Sequence, residues 1–289
     1  MTPAGEYSNA ITELCERALV TVIGHAGFWA PNLYLVGGLV PRYLVGSNPG
    51  PGGHVGSRDV DLAVVLTIDP GAAESYETLY LNLTESGFEQ APLQDDPDFR
   101  WRRTVDGNSI VLEFLGESRD VEPGRSFRPK SHAGSRFQAF NVPGVHLLPL
   151  DHKLVEIEAE RLDGGRAKVK VRVAGLTTFV TLKIRAHRDR SSAKDAYDLV
   201  YVLLNHPAGP AGAGSEIAGS AVADDAFVLE SLDLLRERFS DPANDGPFDY
   251  AGFLAPPGDP EARARLAFEA VEAVRIALGA FDRSGEGGA

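Results

Sequence analysis

The sequence predicts an α+β protein: a nucleus of mixed sheet with flanking helices over 1–148, followed by a mainly helical lobe over 149–289 that carries a basic hairpin. Three observations predict it. Short β-branched apolar segments concentrate in the first two-thirds of the chain. Two pairs of such segments flank Gly-containing connections, the mark of β-hairpins. From Leu176 onward, apolar residues recur at helical spacing. With 289 residues there is room for one or two domains, and 43% hydrophobic against 24% charged residues excludes wholesale disorder. A chain of this length buries about three-quarters of its unfolded surface, so neither a disulfide nor a structural metal is needed to hold it together.

Taken in order, Ile11, Leu14, Cys15, Ala18, Leu19 and Val22 lie on one stripe of a helix over 10–23. Asn32 to Val36 reads as a buried strand that stops at Gly37-Gly38, and a helix begins near Pro41, where a missing N–H costs little. Gly46 to Gly56 is a loop by composition. Val60 to Leu66 is a β-branched, mostly apolar strand, and Ala72 to Ser86 a helix ending at Gly87. Phe99–Val105 and Ser109–Leu115 form one hairpin; Val155–Leu162 and Ala167–Val173 form a second around Asp163-Gly164-Gly165. Helices follow over 176–188, 193–204, 225–239 and 260–280, while the Gly/Ala-rich stretch from Pro207 to Gly219 reads as a flexible connection. Pro123 to Phe140 reads as a mobile loop.

Three features of the first lobe belong together. Gly37-Gly38 lies between a strand and a helix, where glycine lets the backbone approach a phosphate and the helix start favours an anion. Ser57-Arg58-Asp59-Val60-Asp61 enters the strand that continues Leu62 to Leu66. Residues i and i+2 of a strand face the same side, so Asp59 and Asp61 project together and make a site for divalent cations. Glu113 interrupts the apolar strand Ile110–Leu115, and a charged residue there is rarely buried without a partner. Brought beside the aspartates, it completes a cage of carboxylates suited to two Mg²⁺ ions, which bridge nucleotide phosphates and activate an incoming hydroxyl. Alone, an Asp-x-Asp is most often a solvated edge or a cap, and a strand Glu usually faces outward; the ordered combination carries the functional reading.

That combination resembles the core of the DNA polymerase β-type nucleotidyltransferase superfamily. The long interval between Gly38 and Ser57 is similar to that of the AbiEii group, which includes MenT-type toxins of bacterial toxin–antitoxin systems. Lys183 to Arg188, followed by Lys194-Asp195-Ala196-Tyr197-Asp198-Leu199, resembles the helical element of that group. The likeness spans Asn32 to Leu204. It implies transfer of NMP from an NTP co-substrate to an acceptor hydroxyl. Asp59, Asp61 and Glu113 would be the catalytic metal ligands. Gly37, Gly38 and Ser57 would lie against the phosphates, and Lys183, Arg188, Lys194, Asp195 and Asp198 would form a nucleotide-binding element. The acceptor it suggests is RNA, a tRNA 3′ end, and the partner a winged-helix antitoxin. Two alternatives stand beside it: an aminoglycoside-type transferase acting on a small molecule, and a non-catalytic nucleotide-binding relative.

Charge and cysteine content fit this picture. The net charge of −13 disfavours indiscriminate nucleic-acid binding. Yet nine basic residues stand against two acidic ones between Arg161 and Arg190, and Pro123 to Phe140 adds Arg125, Arg128, Lys130 and Arg136 with no acid. Lys168, Lys170 and Arg172 alternate with valines, as on a strand whose basic face suits a phosphate backbone or protects an edge. The single Cys15 suits a reducing cytoplasm. The first residues lack the pattern of a secretory signal, and no apolar run is long enough for a membrane span.

Overall fold

The computed structural model describes residues 3–45, 53–65, 73–90, 99–129 and 136–286. The chain is mixed α/β, a mixed sheet with flanking helices and then a helical C-terminal region. It forms two compact units. One comprises Asn9–Leu39 and Gly56–Ala174; the other comprises Met1–Ser8, Val40–Val55 and Gly175–Ala289. The second hairpin lies in the same unit as the rest of the sheet.

The sheet unit holds α1 (Asn9–His25), β1 (Leu33–Val36), β2 (Asp59–Val64) and α3 (Ala73–Glu85), followed by seven further strands. These are β3 (Glu89–Gln90), β4 (Arg100–Val105), β5 (Asn108–Gly116), β6 (Ser126–Phe127), β7 (Ala139–Asn141), β8 (His152–Glu160) and β9 (Arg166–Ala174). The strand order is β3-β4-β5-β2-β1-β9-β8, with β7 beside the end of β5 and β6 beside β7. Pairing is parallel for β1 with β9, β2 with β5 and β5 with β7, and antiparallel elsewhere. The stretch expected to be one mobile loop thus contains the β6–β7 pair; Lys130 lies outside the described residues, as do 46–52 of the Gly/Pro-rich loop.

Alternation along the strands sorts the residues onto two faces. Val60, Leu62 and Val64 are buried with Leu33, Leu35, Leu112, Phe114, Val171 and Val173, and α1 covers this side with Cys15, Ala18, Leu19 and Val22. Trp101 of β4 is buried too, its ring 5.0 Å from that of Tyr80 on α3. Asp59, Asp61, Glu113, Arg100, Lys168 and Lys170 belong to the opposite, polar set. The turn between β4 and β5 has both Asp106 (φ 50°) and Gly107 (φ 78°) in the left-handed region, the geometry of a tight hairpin turn.

The helical unit adds α2 (Pro41–Leu44), α4 (Leu176–Arg190), α5 (Ala193–Leu204), α6 (Gly209–Ala218), α7 (Ala226–Arg238), α8 (Asp245–Leu254) and α9 (Pro260–Glu286). Two of these depart from the sequence expectation. The Gly/Ala-rich stretch is α6, because its small residues let it pack closely on α9: a Cβ at Gly214 would lie 1.9 Å from the Ala277 carbonyl oxygen. α8 was hidden by Gly246-Pro247, yet Pro247 sits in the first turn, where it does no harm, and Gly246 is pressed against the ring of Phe239. Among the described residues, no helix is long and apolar enough to cross a membrane.

Replacing Gly214 by Val is expected to cost about 1–3 kcal/mol of stability by overpacking this contact. Urea unfolding measures it against Gly219→Ala, whose added methyl meets nothing closer than 3.5 Å. Equal stability of the two variants would contradict the close packing.

Candidate functional site

In the sheet unit, parallel pairing sets Asp61 level with Glu113 and Asp59 level with Val111. All three carboxylates therefore project from one face. Gly37 explains how Asp61 is accommodated. Its φ is +72°, and a Cβ there would lie 1.7 Å from Asp61 Oδ2, so the aspartate occupies the space that any other residue would fill. Gly37, buried Gly38 and Leu39 form a single helical turn at the end of β1. The Gly-Gly pair thus makes room for a carboxylate.

The entry to β2 is fixed from α1. Gly56 has φ +95°, with Thr12 Oγ1 1.8 Å from where its Cβ would stand. The Ser57 N–H donates to Thr12 Oγ1 at 3.3 Å, and Cys15 Sγ donates to the Ser57 carbonyl at 3.8 Å. The buried Ser57 hydroxyl in turn donates to Asp59 Oδ1 at 2.9 Å. Thr12 and Cys15, one turn apart, were invisible as site residues because their partner lies more than forty positions away. Burial pushes the Cys15 thiol up to about 12, with Asp59, Asp61 and Glu16 adding to it, so this cysteine is an inert packing group rather than a nucleophile.

Glu113 has a second neighbour that the sequence did not announce. Arg100 stands directly opposite it on β4, and Arg100 Nε donates to Glu113 Oε1 at 2.5 Å. With side chains so arranged, no three His, Cys, Asp or Glu groups among the described residues stand close enough to hold a metal ion. The three carboxylates share a sheet face, with Asp61 and Glu113 at one level. In side-chain placement Glu113 is engaged by Arg100 and Asp59 by the Ser57 hydroxyl.

The helical unit assembles the other residues that the sequence singled out. Lys183 of α4 donates to Asp195 Oδ1 and Asp198 Oδ2, both at 2.8 Å, and all three side chains are buried. The spacing of Asp195 and Asp198 on α5 puts both on the face toward α4. Lys194 also pairs with Asp198, and Arg190 grips Asp195 with Nε at 2.6 Å and a terminal nitrogen at 2.9 Å. His54 Nε2 completes the group at 2.8 Å from Asp198 Oδ1; since a carboxylate only accepts, this nitrogen carries the proton. The His54 ring stacks on Tyr197, whose hydroxyl accepts from the Val55 N–H. Arg188, by contrast, points to its exposed neighbour Asp189.

The electrostatics follow from burial and partners. Burial alone would lower the Lys183 ammonium and raise both aspartates; mutual attraction wins, so Lys183 is raised and Asp195 and Asp198 are held below the ordinary carboxylate range. For Lys194 and His54 burial wins, and both are lowered despite the pull of Asp198. Lys183 is therefore not an uncommitted cation: its charge is neutralised within the helix pair. Part of the β9 basic face is also committed, with Lys168 paired to Glu156 and Arg166 to Glu158 on the edge strand β8. The glutamates of β8 were the missing term in the reading of this hairpin as basic.

The chain matches no protein-family model and no curated protein.

Two outcomes test it. Gly37→Ala, which forces a Cβ onto Asp61 in a left-handed conformation, is expected to lower stability by at least about 1 kcal/mol. A melting temperature equal to that of the unmodified chain contradicts the cradle. For His54, a lowered folded value means that its contribution is present above the unfolded value of about 6.5 and is lost as the pH falls through the folded one. The stability advantage of the native chain over His54→Gln is thus expected to shrink between pH 7.5 and roughly pH 5. Thermal unfolding at both pH values reads it, and an advantage that grows on acidification gives the wrong sign.

Proposed function

We propose that the protein is a divalent-metal-dependent nucleotidyltransferase that moves NMP from an NTP to an acceptor hydroxyl and releases pyrophosphate. The observation that carries the reading is the level pairing of Asp61 with Glu113 beside Asp59, on the polar face of an otherwise apolar sheet, with Gly37 making room for Asp61. Carboxylates are expensive to hold side by side, and nothing in the packing of the sheet requires them there.

In this reading Asp59, Asp61 and Glu113 hold up to two Mg²⁺ ions, which supply charge neutralisation at the triphosphate and acidify the acceptor hydroxyl. Ser57 orients Asp59 through its hydroxyl and is itself oriented by Thr12. Gly37 and Gly38 keep the end of β1 free of side-chain bulk beside Asp61. The Lys183–Asp195–Asp198 group is a positioning element of the helical unit: its buried charges fix α4 against α5 and, through His54, the end of the Gly/Pro-rich loop.

As the resemblance to AbiEii and MenT-type toxins suggests, the acceptor is RNA, a tRNA 3′ end, the partner a winged-helix antitoxin, and the compartment the reducing cytoplasm. The pairing of Arg166 and Lys168 of β9 with β8 glutamates keeps a second reading in view. It weakens one basic track for RNA, and the net charge of −13 suits a small polycationic acceptor of the aminoglycoside type. Growth arrest on expression favours the first, drug resistance the second.

Incubation with α-labelled NTPs, Mg²⁺ and total tRNA or an aminoglycoside panel tests the chemistry. Transfer is expected, and Asp61→Asn should reduce it at least about a thousand-fold. No transfer to any acceptor, or transfer that survives the substitution, overturns the assignment.

A further inference from the structure

β8 is the last strand in the sheet order and runs for nine residues. One bond sorts its main chain. The Arg161 N–H donates to the Gly165 carbonyl at 2.8 Å, and the register runs unbroken from there, with Glu160 level with Arg166 and His152 level with Ala174. Hydrogen-bonded pairs alternate along an antiparallel ladder, so Lys153, Val155, Ile157 and Ala159 bond to β9, while Leu154, Glu156, Glu158 and Glu160 turn their N–H and carbonyl groups away from it. The Glu160 carbonyl bears this out, since it accepts from Arg17 Nε of α1 at 3.2 Å. Arg17 thereby closes one end of the edge. Among the described residues, no further main-chain bond engages Leu154, Glu156 or Glu158; Leu154 is 57% exposed and the two glutamate side chains are half-exposed. A long strand with open main-chain groups is a template for another strand.

What this edge selects follows from the neighbour it already has. Glu156 stands level with Lys170, Glu158 with Lys168 and Glu160 with Arg166, and the β9 residues between those cations are Ala167 and Val169. A second copy of β8 laid along the edge would bring glutamates against glutamates, which cross-strand pairing disfavours. A strand patterned like β9 meets the same acids from the other side. We propose that the outer edge of β8, over 154–158, takes up an extended segment of a partner protein in which Lys or Arg alternates with β-branched residues. Main-chain bonds to Leu154, Glu156 and Glu158 supply the affinity, and the two glutamates choose the sequence. The proposal does not depend on the nucleotide-transfer reading.

A capped peptide Arg-Ala-Lys-Val-Lys-Val-Arg-Val, the sequence of 166–173, is the probe. Added to the full native chain, with amide hydrogen exchange read residue by residue by NMR, it is expected to slow exchange at Leu154, Glu156 and Glu158 about ten-fold. Val155 and Ile157, already bonded to β9, should change far less. A peptide of the same composition with its four cations grouped at one end should bind at least about five-fold more weakly by fluorescence anisotropy, as should the alternating peptide to Glu156→Gln/Glu158→Gln. Absence of protection at the three outward amides overturns the proposal. Equal binding of the two peptides also overturns it, because charge alone then suffices, as does binding indifferent to the double substitution. Protection of the same amides that rises with chain concentration in the absence of peptide overturns it in favour of a second copy.

Discussion

The parity of the central strands is the constraint on which everything else in the sheet unit depends. Val60, Leu62 and Val64 must reach the side covered by α1, together with Leu112 and Phe114 of the neighbouring strand. Each such side chain contributes about 1.5–3 kcal/mol when buried. A slip of one residue in either strand would turn this apolar set to the polar face and drive Asp59, Asp61 or Glu113 into the core without a partner. The hydrophobic pattern thus fixes the level at which Asp61 meets Glu113. The carboxylate arrangement is a by-product of where the valines and leucines have to go.

Local devices then refine what parity fixes. Gly37 yields its side-chain volume to Asp61, Gly56 yields its own to Thr12, and Ser57 relays the position of α1 to Asp59. In the helical unit the corresponding device is ionic. Asp198 is wholly buried, but it accepts from Lys183, Lys194 and His54, which converts a prohibitive desolvation cost into a specific arrangement of α4, α5 and the loop end. Removing any one donor leaves charge behind in a dry interior. The group therefore specifies geometry more than it adds stability.

Much of this was legible in the sequence, for identifiable reasons. Period-two segments bounded by Asp106-Gly107 and Gly164-Gly165 marked both hairpins, and the i, i+2 rule put Asp59 and Asp61 together before any fold was known. The i, i+3 spacing of Asp195 and Asp198 likewise anticipated a shared face, and their bonds to Lys183 use it. Composition misled where packing overrode propensity: glycine in α6 serves a close helix contact, and Gly246-Pro247 opens α8 rather than interrupting it. Charge counting along the chain also misled, since Arg166 and Lys168 of β9 meet glutamates eight and twelve positions earlier in sequence that the hairpin brings beside them. Thr12, His54 and Arg100 carried no signal at all. Their partners are brought to them only by the fold, and a lone threonine, histidine or arginine has no spacing to read.

Under the proposed metal-dependent reading, strands β2 and β5 hold a divalent cation between them. Replacing that cation by Fe²⁺ and generating hydroxyl radicals at the bound iron maps it directly, because cleavage is confined to backbone beside the ion. Cuts clustered at 57–61 and again at 111–115, both suppressed by excess Mg²⁺, are the predicted result. Cleavage near only one of these strands, or scattered cleavage indifferent to Mg²⁺, would contradict it.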